Sequence, residues 1–373
     1  MTLSIRYKFM GGRIAKTGLA VFITAFICHM LNWPAMFAVI TAIVTIEPTV
    51  ADSIRKAYVR FPAAAIGAGF AVLFTFLFGD SPYTYASVSL ATIIACHKLK
   101  LHDGMLVATL TGVAMISTVH DHYLSSFLIR MGTTSTGIVV STAVNFFVMP
   151  PDYSNSIMSS IHSLYRRAGD LLHKRGLEIF NLQTPDQEIR LAFQNLIKNI
   201  EKTEILCTYQ KAEYKYHRFS RDDMRDFHYE YKKLTILRQI TYHIGNLIFL
   251  PPSQITLNKK KQKFRKDVLD DLRASLYDPG FLITDSHHQK IIEVTQWFIE
   301  QKQQVPAGGL KPRTHHHVQP ETAILYEILS IHDLIEELNH IQNMEIKHRR
   351  LLKNLKAASP YQGMRANEQE LRK

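Results

Sequence analysis

Three charged residues stand inside or beside apolar runs in the first 150 positions: Glu47, Arg60 and Arg130. An ionisable group at bilayer depth is costly and turns towards a cavity or a partner, so each is a functional hypothesis. Glu47 lies in Thr45-Ile46-Glu47-Pro48-Thr49, where Pro48 cannot continue a helix without losing a backbone hydrogen bond. Beside freed carbonyls it is placed to carry a proton; at a water-exposed helix end it is an ordinary acid. Arg60 and Arg130 present planar donor forks suited to an organic carboxylate. The other reading makes Arg60 a cytoplasmic anchor and lets Arg130 snorkel to the outer interface.

The elements that must position these groups follow from the charge distribution. Of 373 residues, the first 150 hold ten Lys/Arg and five Asp/Glu, and the rest hold 34 and 27. The mean hydropathy of −0.05 therefore averages an apolar half with a water-loving one. That split excludes a plain soluble enzyme and a disordered basic chain. A bilayer-spanning helix needs roughly 20 mostly apolar residues. Six runs approach this: Arg13–Leu31, Pro34–Val50, Phe61–Phe78, Tyr83–Cys96, Gly104–Val119 and Phe127–Met149. Lys and Arg fall at the N-terminus and in alternate loops (Arg55, Lys56 and Arg60; Lys98 and Lys100), which predicts that both termini are cytoplasmic.

The stretch Ala38–Gly67 resembles Ala108–Gly137 at an offset of 70 residues, aligning Arg60 with Arg130, Gly67 with Gly137, Thr41 with Thr111 and Ala38 with Ala108. Cys28-His29 aligns with Cys96-His97 at an offset of 68. Two copies of three helices imply a 3+3 inverted repeat, with the second copy entering the membrane upside down. Ala63, Gly67 and Ala71, with Gly69, and Thr133 with Gly137, are small residues at packing spacing. Asn32, Asn145, Thr41 and Thr111 read as interhelical hydrogen-bond partners. His120-x-His122 has two ligands at a weak spacing, and Cys28, Cys96 and Cys207 form no CxxC, so no metal centre, disulfide or cofactor is expected.

From Pro150-Pro151 onwards apolar residues recur at helical spacing, as in Ile157, Ile161, Leu164, Ala168 and Leu171, and again in Ile324, Ile328, Ile331, Ile335 and Leu338. This predicts an α-helical cytoplasmic bundle of five or six helices over residues 151–358, broken at Thr184-Pro185, Pro251-Pro252, Asp278-Pro279-Gly280 and Pro306–Pro320, with a disordered tail over 359–373. The run Lys259, Lys260, Lys261, Lys263, Arg265, Lys266 suits either anionic lipid at the inner leaflet or a solvated helix start. His315-His316-His317 reads as an exposed connection. There is no Walker A motif, HExxH, GxSxG or EF-hand loop in the sequence.

The stretch from Ala38-Val39-Ile40-Thr41 through Glu47-Pro48-Thr49, followed by Arg60 and Ala65-Ile66-Gly67-Ala68-Gly69-Phe70-Ala71, resembles the aromatic acid exporter family, which is related to fusaric acid resistance proteins. Gly79-Asp80, Lys98-Leu99-Lys100-Leu101 and Asn145–Pro151 are similar to its Gram-positive branch. The resemblance implies a six-helix membrane region, residues 1–150, followed by a helical cytoplasmic domain. The relatives that give the family its name export hydroxylated aromatic acids and have a different domain arrangement. Larger Gram-negative relatives work with a periplasmic adaptor, for which nothing here argues.

The expectation is an all-α, multi-pass protein of the cell membrane, not an enzyme. It exports small amphipathic or aromatic carboxylic acids by proton coupling: Arg60 and Arg130 hold the carboxylate in turn, and Glu47 carries the proton. The alternative is a non-transporting anchor whose cytoplasmic bundle binds a partner or anionic lipid. Membrane lipids, small organic anions and a second copy of the chain are the expected partners, and nucleic acid is not.

Overall fold

A computed structural model describes residues 3–117, 123–148, 150–180, 187–250, 259–303 and 320–357. Val119, His120, His122, Met149, the breaks at 184–185, 251–252 and 306–319, His315–His317 and the 359–373 tail lie outside these residues, as do the side chains of Lys259–Lys261. Every regular element among the described residues is an α-helix. The chain divides into two units, one comprising Met1–Asp152 with Tyr209–Arg218, and the other comprising Tyr153–Thr208 with Phe219–Lys373.

The first unit holds α1 (Leu3–Met30), α2 (Ala35–Thr45), α3 (Val50–Phe78), α4 (Pro82–Lys98), α5 (His102–Ile116) and α6 (Tyr123–Phe147). Three stretches, Gly12–Met30, Val50–Phe78 and Tyr123–Phe147, are long and apolar enough to cross a bilayer. The apolar helices α2 and α5, with 11 and 15 residues, fall short of the expected spans. At 1.5 Å per residue they reach only about 16 and 22 Å, against a hydrocarbon core of about 30 Å.

Helix α3 begins at Val50 rather than at Phe61. Thr49 caps it, its hydroxyl accepting from the Asp52 amide, and Asp52 adds a negative charge to the first turn. Hydropathy misses this start because the first turns are charged, and so Arg55, Lys56 and Arg60 lie on a helix and not in a loop. Conversely α2 ends at Thr45, short of Pro48.

The two halves of this unit share their construction. The α1–α2 turn closes with Trp33 N–H donating to Cys28 C=O at 2.9 Å around Asn32, whose φ is +53°. The α4–α5 turn closes with Leu101 N–H donating to Cys96 C=O at 2.8 Å around Lys100, whose φ is +57°. Both are left-handed caps with a six-residue closing bond. Helix α3 packs on α5 as α6 packs on α2, α4 meets α5 as α1 meets α2, and α3 meets α4 as α6 meets α1, while α3 and α6 pack on each other. The closest approaches correspond as well: a Cβ on Gly67 would overlap the Ala108 carbonyl, and one on Gly137 would overlap that of Ala38. Gly69, by contrast, is exposed with nothing within 4 Å of such a Cβ, so no described residue of the chain packs against it.

The second unit contains α7 (Ser154–Phe180), most of α8 (Gln187–Glu213), α9 (Arg221–Phe249), α10 (Lys259–Tyr277), α11 (Asp285–Gln303) and α12 (Pro320–Ala357). Ile157, Ile161, Leu164, Leu171, Ile324, Ile328, Ile331, Ile335 and Leu338 are buried, as their spacing predicts. Helix α10 packs between α7, α11 and α12, and α9 lies against α7 and α12. Ser220 opens α9 with a reciprocal capping box to Asp223.

Candidate functional site

Ending α2 at Thr45 frees carbonyls that a membrane-type unit must satisfy internally. Side chains do so nearly residue by residue. Arg60 Nη1 donates to Val44 O at 3.0 Å, Ser53 Oγ to Thr45 O at 3.4 Å, and Arg13 Nη2 to Ile46 O at 3.4 Å. Asn145 Nδ2 reaches Glu47 O at 3.1 Å and Thr49 O at 3.3 Å, and also donates to Ser53 Oγ at 2.8 Å. On the donor side, Val50 N–H gives its hydrogen bond to Glu213 Oε1 at 2.8 Å. Glu213 is fully buried, and its second oxygen lies 2.9 Å from His217 Nδ1, whose Nε2 is 3.0 Å from Phe146 O.

Within this frame Glu47 and Arg60 form an ion pair at 2.7 Å, with side chains 12% and 8% exposed. Lys56 meets the other carboxylate oxygen at 2.9 Å. Arg60 Nε adds a bond to Asp103 O at 3.4 Å, which ties α3 to the start of α5. Beside them Lys16 Nζ donates to Asn145 Oδ1 at 3.0 Å, within the field of the Glu213 carboxylate. Glu47 and Glu213 thus share one break in the fold with Arg60, Lys56 and Lys16, and each has a partner of opposite charge nearby.

Arg130 occupies the corresponding place on α6, and its surroundings differ. It is as buried as Arg60, at 6% exposure. Its Nη2 donates to Thr111 Oγ1 at 3.0 Å, and its guanidinium lies 3.6 Å over the Phe37 ring. Nε and Nη1 have no hydrogen-bond partner among the described residues. Two donors of a buried guanidinium are thus left without a partner among the described residues, with an aromatic ring at its face.

An apolar groove of about 780 Å³ between α3 and α6 is lined by Tyr58, Phe61, Ile138, Val139 and Phe147 among others. No charged side chain lines it, and its polar groups are the hydroxyls of Tyr58, Ser135 and Thr142.

The model of aromatic acid exporter family member 1 matches residues 8–148, which covers α2 to α6, nearly all of α1, and all three of Glu47, Arg60 and Arg130. A UPF0421 protein of Bacillus cereus is 40% identical over 337 residues, covering 90% of this chain and 94% of the relative. Others from Oceanobacillus iheyensis and Halalkalibacterium halodurans are 39% and 35% identical, again over 90% of this chain. The chain belongs to the aromatic acid exporter family. Family and apolar helices together make it a membrane protein of an exporter-type family rather than an enzyme family.

The exporter-family sequence revealed some of this site and hid the rest. Asn145 and Thr111 are the interhelical partners their type and place indicate. Thr41 instead returns its hydroxyl to Phe37 O on its own helix, and Asn32 serves as a left-handed turn residue. Lys16, Ser53, Glu213 and His217 were missed. Glu213 lies 163 residues from the amide it caps, in a charged segment whose periodicity gives no sign of this contact. In the basic run Arg265 is fully buried, paired with Glu321 and facing the Trp297 ring, so it is turned away from any lipid surface. Lys263 and Lys266 are exposed.

Proposed function

We propose that this protein is a secondary exporter of small amphipathic carboxylates, aromatic acids first among them, working across the cell membrane with both termini in the cytoplasm. The observation that carries the reading is Arg130: a buried cation with two free donors and the Phe37 ring at its face. A guanidinium in lipid surroundings is kept unpaired at considerable cost, and an anionic substrate is the partner whose presence removes that cost.

The membrane unit is a 3+3 inverted repeat with six passes, the shorter helices α2 and α5 acting as the broken elements that leave irregular backbone near the site. Matching turns at Asn32 and Lys100, matching approaches at Gly67 and Gly137, and the equivalent helix pairings support this. Arg60 is the second station for the anion. It is held by Glu47, and protonation of Glu47 frees it, which couples substrate movement to the proton gradient.

The test is uptake of labelled hydroxybenzoate into inverted vesicles under an imposed pH gradient. Wild type transports and Glu47→Gln loses the response to the gradient. Equal gradient dependence in both removes the proton role, and failure of the wild type to move any of a panel of aromatic and aliphatic carboxylates removes the exporter reading.

A further inference from the structure

In the second unit, α11 brings His287 and His288 against α12, which carries His332 and Glu336 one turn apart, and α10 adds Asp271. We propose that His288, His332 and Glu336 form a site for one divalent cation of the zinc class, with His287 and Asp271 as the groups that orient it. Coordinating atoms of the three ligands lie within 4.8 Å of one another. His332 Nε2 is 3.4 Å from Glu336 Oε1, and His288 Nδ1 is 3.7 Å from the same oxygen. Bonds of about 2.0–2.1 Å to a tetrahedral zinc ion place ligand atoms about 3.4 Å apart, so small side-chain movements complete the geometry.

The hydrogen bonds behind the cluster argue for a cation independently of these distances. Asp271 Oδ2 accepts from Lys290 Nζ at 2.8 Å and faces His287 Nδ1 at 3.2 Å. A carboxylate only accepts, so His287 carries its proton on Nδ1 and leaves Nε2 as an acceptor. That acceptor faces His332 Nδ1 at 3.2 Å, which must then donate, leaving a lone pair on His332 Nε2. This lone pair points at a carboxylate oxygen, and a positive centre between the two acceptors, a metal ion or a proton, removes their repulsion. The relay from carboxylate through imidazole to a metal-binding imidazole is the usual arrangement behind a bound transition metal.

His288 and Glu336 have side chains 60% and 45% exposed, so the ion is reached from solvent and keeps a position open for water. Bound there it clips α11 to α12 at the far side of a 16-residue connection, 304–319.

The full-length protein, purified in detergent and stripped with EDTA, is titrated with Co²⁺ and then Zn²⁺. Expected is one Co²⁺ per chain with the intense visible absorption of four-coordinate cobalt, bleached by Zn²⁺. His288→Ala and Glu336→Gln change exposed residues and leave the fold intact, yet lose more than about a hundredfold in affinity. Asp271→Asn loses about 10–100-fold, as orienting partners do, and replacing His315, His316 and His317 together by Ala changes nothing. The proposal is overturned if the wild type binds neither ion below millimolar concentration. It is equally overturned if His288→Ala and Glu336→Gln bind as the wild type does, or if only the His315–His317 variant loses the signal.

Discussion

Replacing Arg130 by Met should leave the protein at least as stable as the wild type while abolishing transport. The magnitude follows from what the guanidinium does and does not contact. Nε and Nη1 are buried without a partner, and each such donor costs about 1–3 kcal/mol, so together they take away at least about 2 kcal/mol. In compensation the charge makes one hydrogen bond to Thr111, worth about 1.5–3 kcal/mol, and lies over Phe37, worth about 2 kcal/mol when desolvated. These terms nearly cancel before the desolvation of the charge itself, several kcal/mol, is counted. Met fills a similar volume, keeps a sulfur contact to the Phe37 ring, and removes both orphaned donors. Thermal unfolding in detergent, followed by tryptophan fluorescence, should show an unchanged or raised Tm. Transport of labelled hydroxybenzoate into vesicles should fall to background, and Arg130→Lys should recover little because a point charge cannot replace the fork. A loss of more than about 2 kcal/mol in Arg130→Met would refute the reasoning, since the arginine would then be satisfied within the fold and kept for stability.

Glu47→Ala is expected to do the reverse. It strips the buried Arg60 and half-buried Lys56 of their shared counter-charge, costing about 2–3 kcal/mol, at or below the lower end for a broken buried pair because the site is partly wet. Glu47→Gln keeps an acceptor and costs less, and equal melting temperatures for Ala and wild type would exclude the pairing. Gly67→Val and Gly137→Val should each destabilise by about 1–3 kcal/mol by driving a side chain into the Ala108 or Ala38 backbone. Gly69→Val, facing open space, should be neutral, and similar damage from all three would remove the packing assignment. In the second unit, metal-free protein should lose stability as pH falls. His287 and His332 have folded pKa values below the ordinary 6.5, chiefly through burial. Below pH 6.5 the unfolded chain therefore binds more protons than the folded one, and stability that is full above that pH drains away towards the lowered values. Asp271 and Lys290 act on His287, while Glu336, Asp333 and His288 act on His332. His332→Gln should flatten the pH dependence of Tm measured by circular dichroism, and a slope equal to that of the wild type would assign the effect elsewhere.

Helix type and the apolar–charged division of the chain were legible because both depend on composition summed over many residues. Register was legible only in part. Gly67 and Gly69 look interchangeable in sequence, but two residues turn a helix by about 200°, so one meets Ala108 and the other faces outward. The start of α3 was hidden for a related reason: hydropathy detects the lipid-facing stretch, whereas Thr49 and Asp52 fix the helix end by capping. Arg265 looked like one more lysine-type charge in a basic run, and only the approach of Glu321 and Trp297 buries it. Glu213, His288 and His332 depend on contacts between distant segments, for which spacing along the chain carries no signal.

The aligned arginines reveal more through their difference than through their likeness. At the 70-residue offset Thr41 answers to Thr111 and Ala38 to Ala108, but Glu47 answers to Ser117, which is not ionisable. The internal carboxylate is therefore present for one arginine and missing for the other. On the proposed mechanism an anion reaching Arg60 must displace Glu47, and protonation of that acid makes the exchange favourable. An anion at Arg130 meets no competing carboxylate among the described residues. A pathway with two equivalent cations and one acid has a built-in polarity, since the proton is needed at one station only. Introducing a second acid by Ser117→Glu should supply Arg130 with a counter-charge, weaken substrate binding there and make that station pH-dependent too. If transport by Ser117→Glu keeps the wild-type pH profile, the acid's position does not set the coupling, and the asymmetry between the two arginines has only structural meaning.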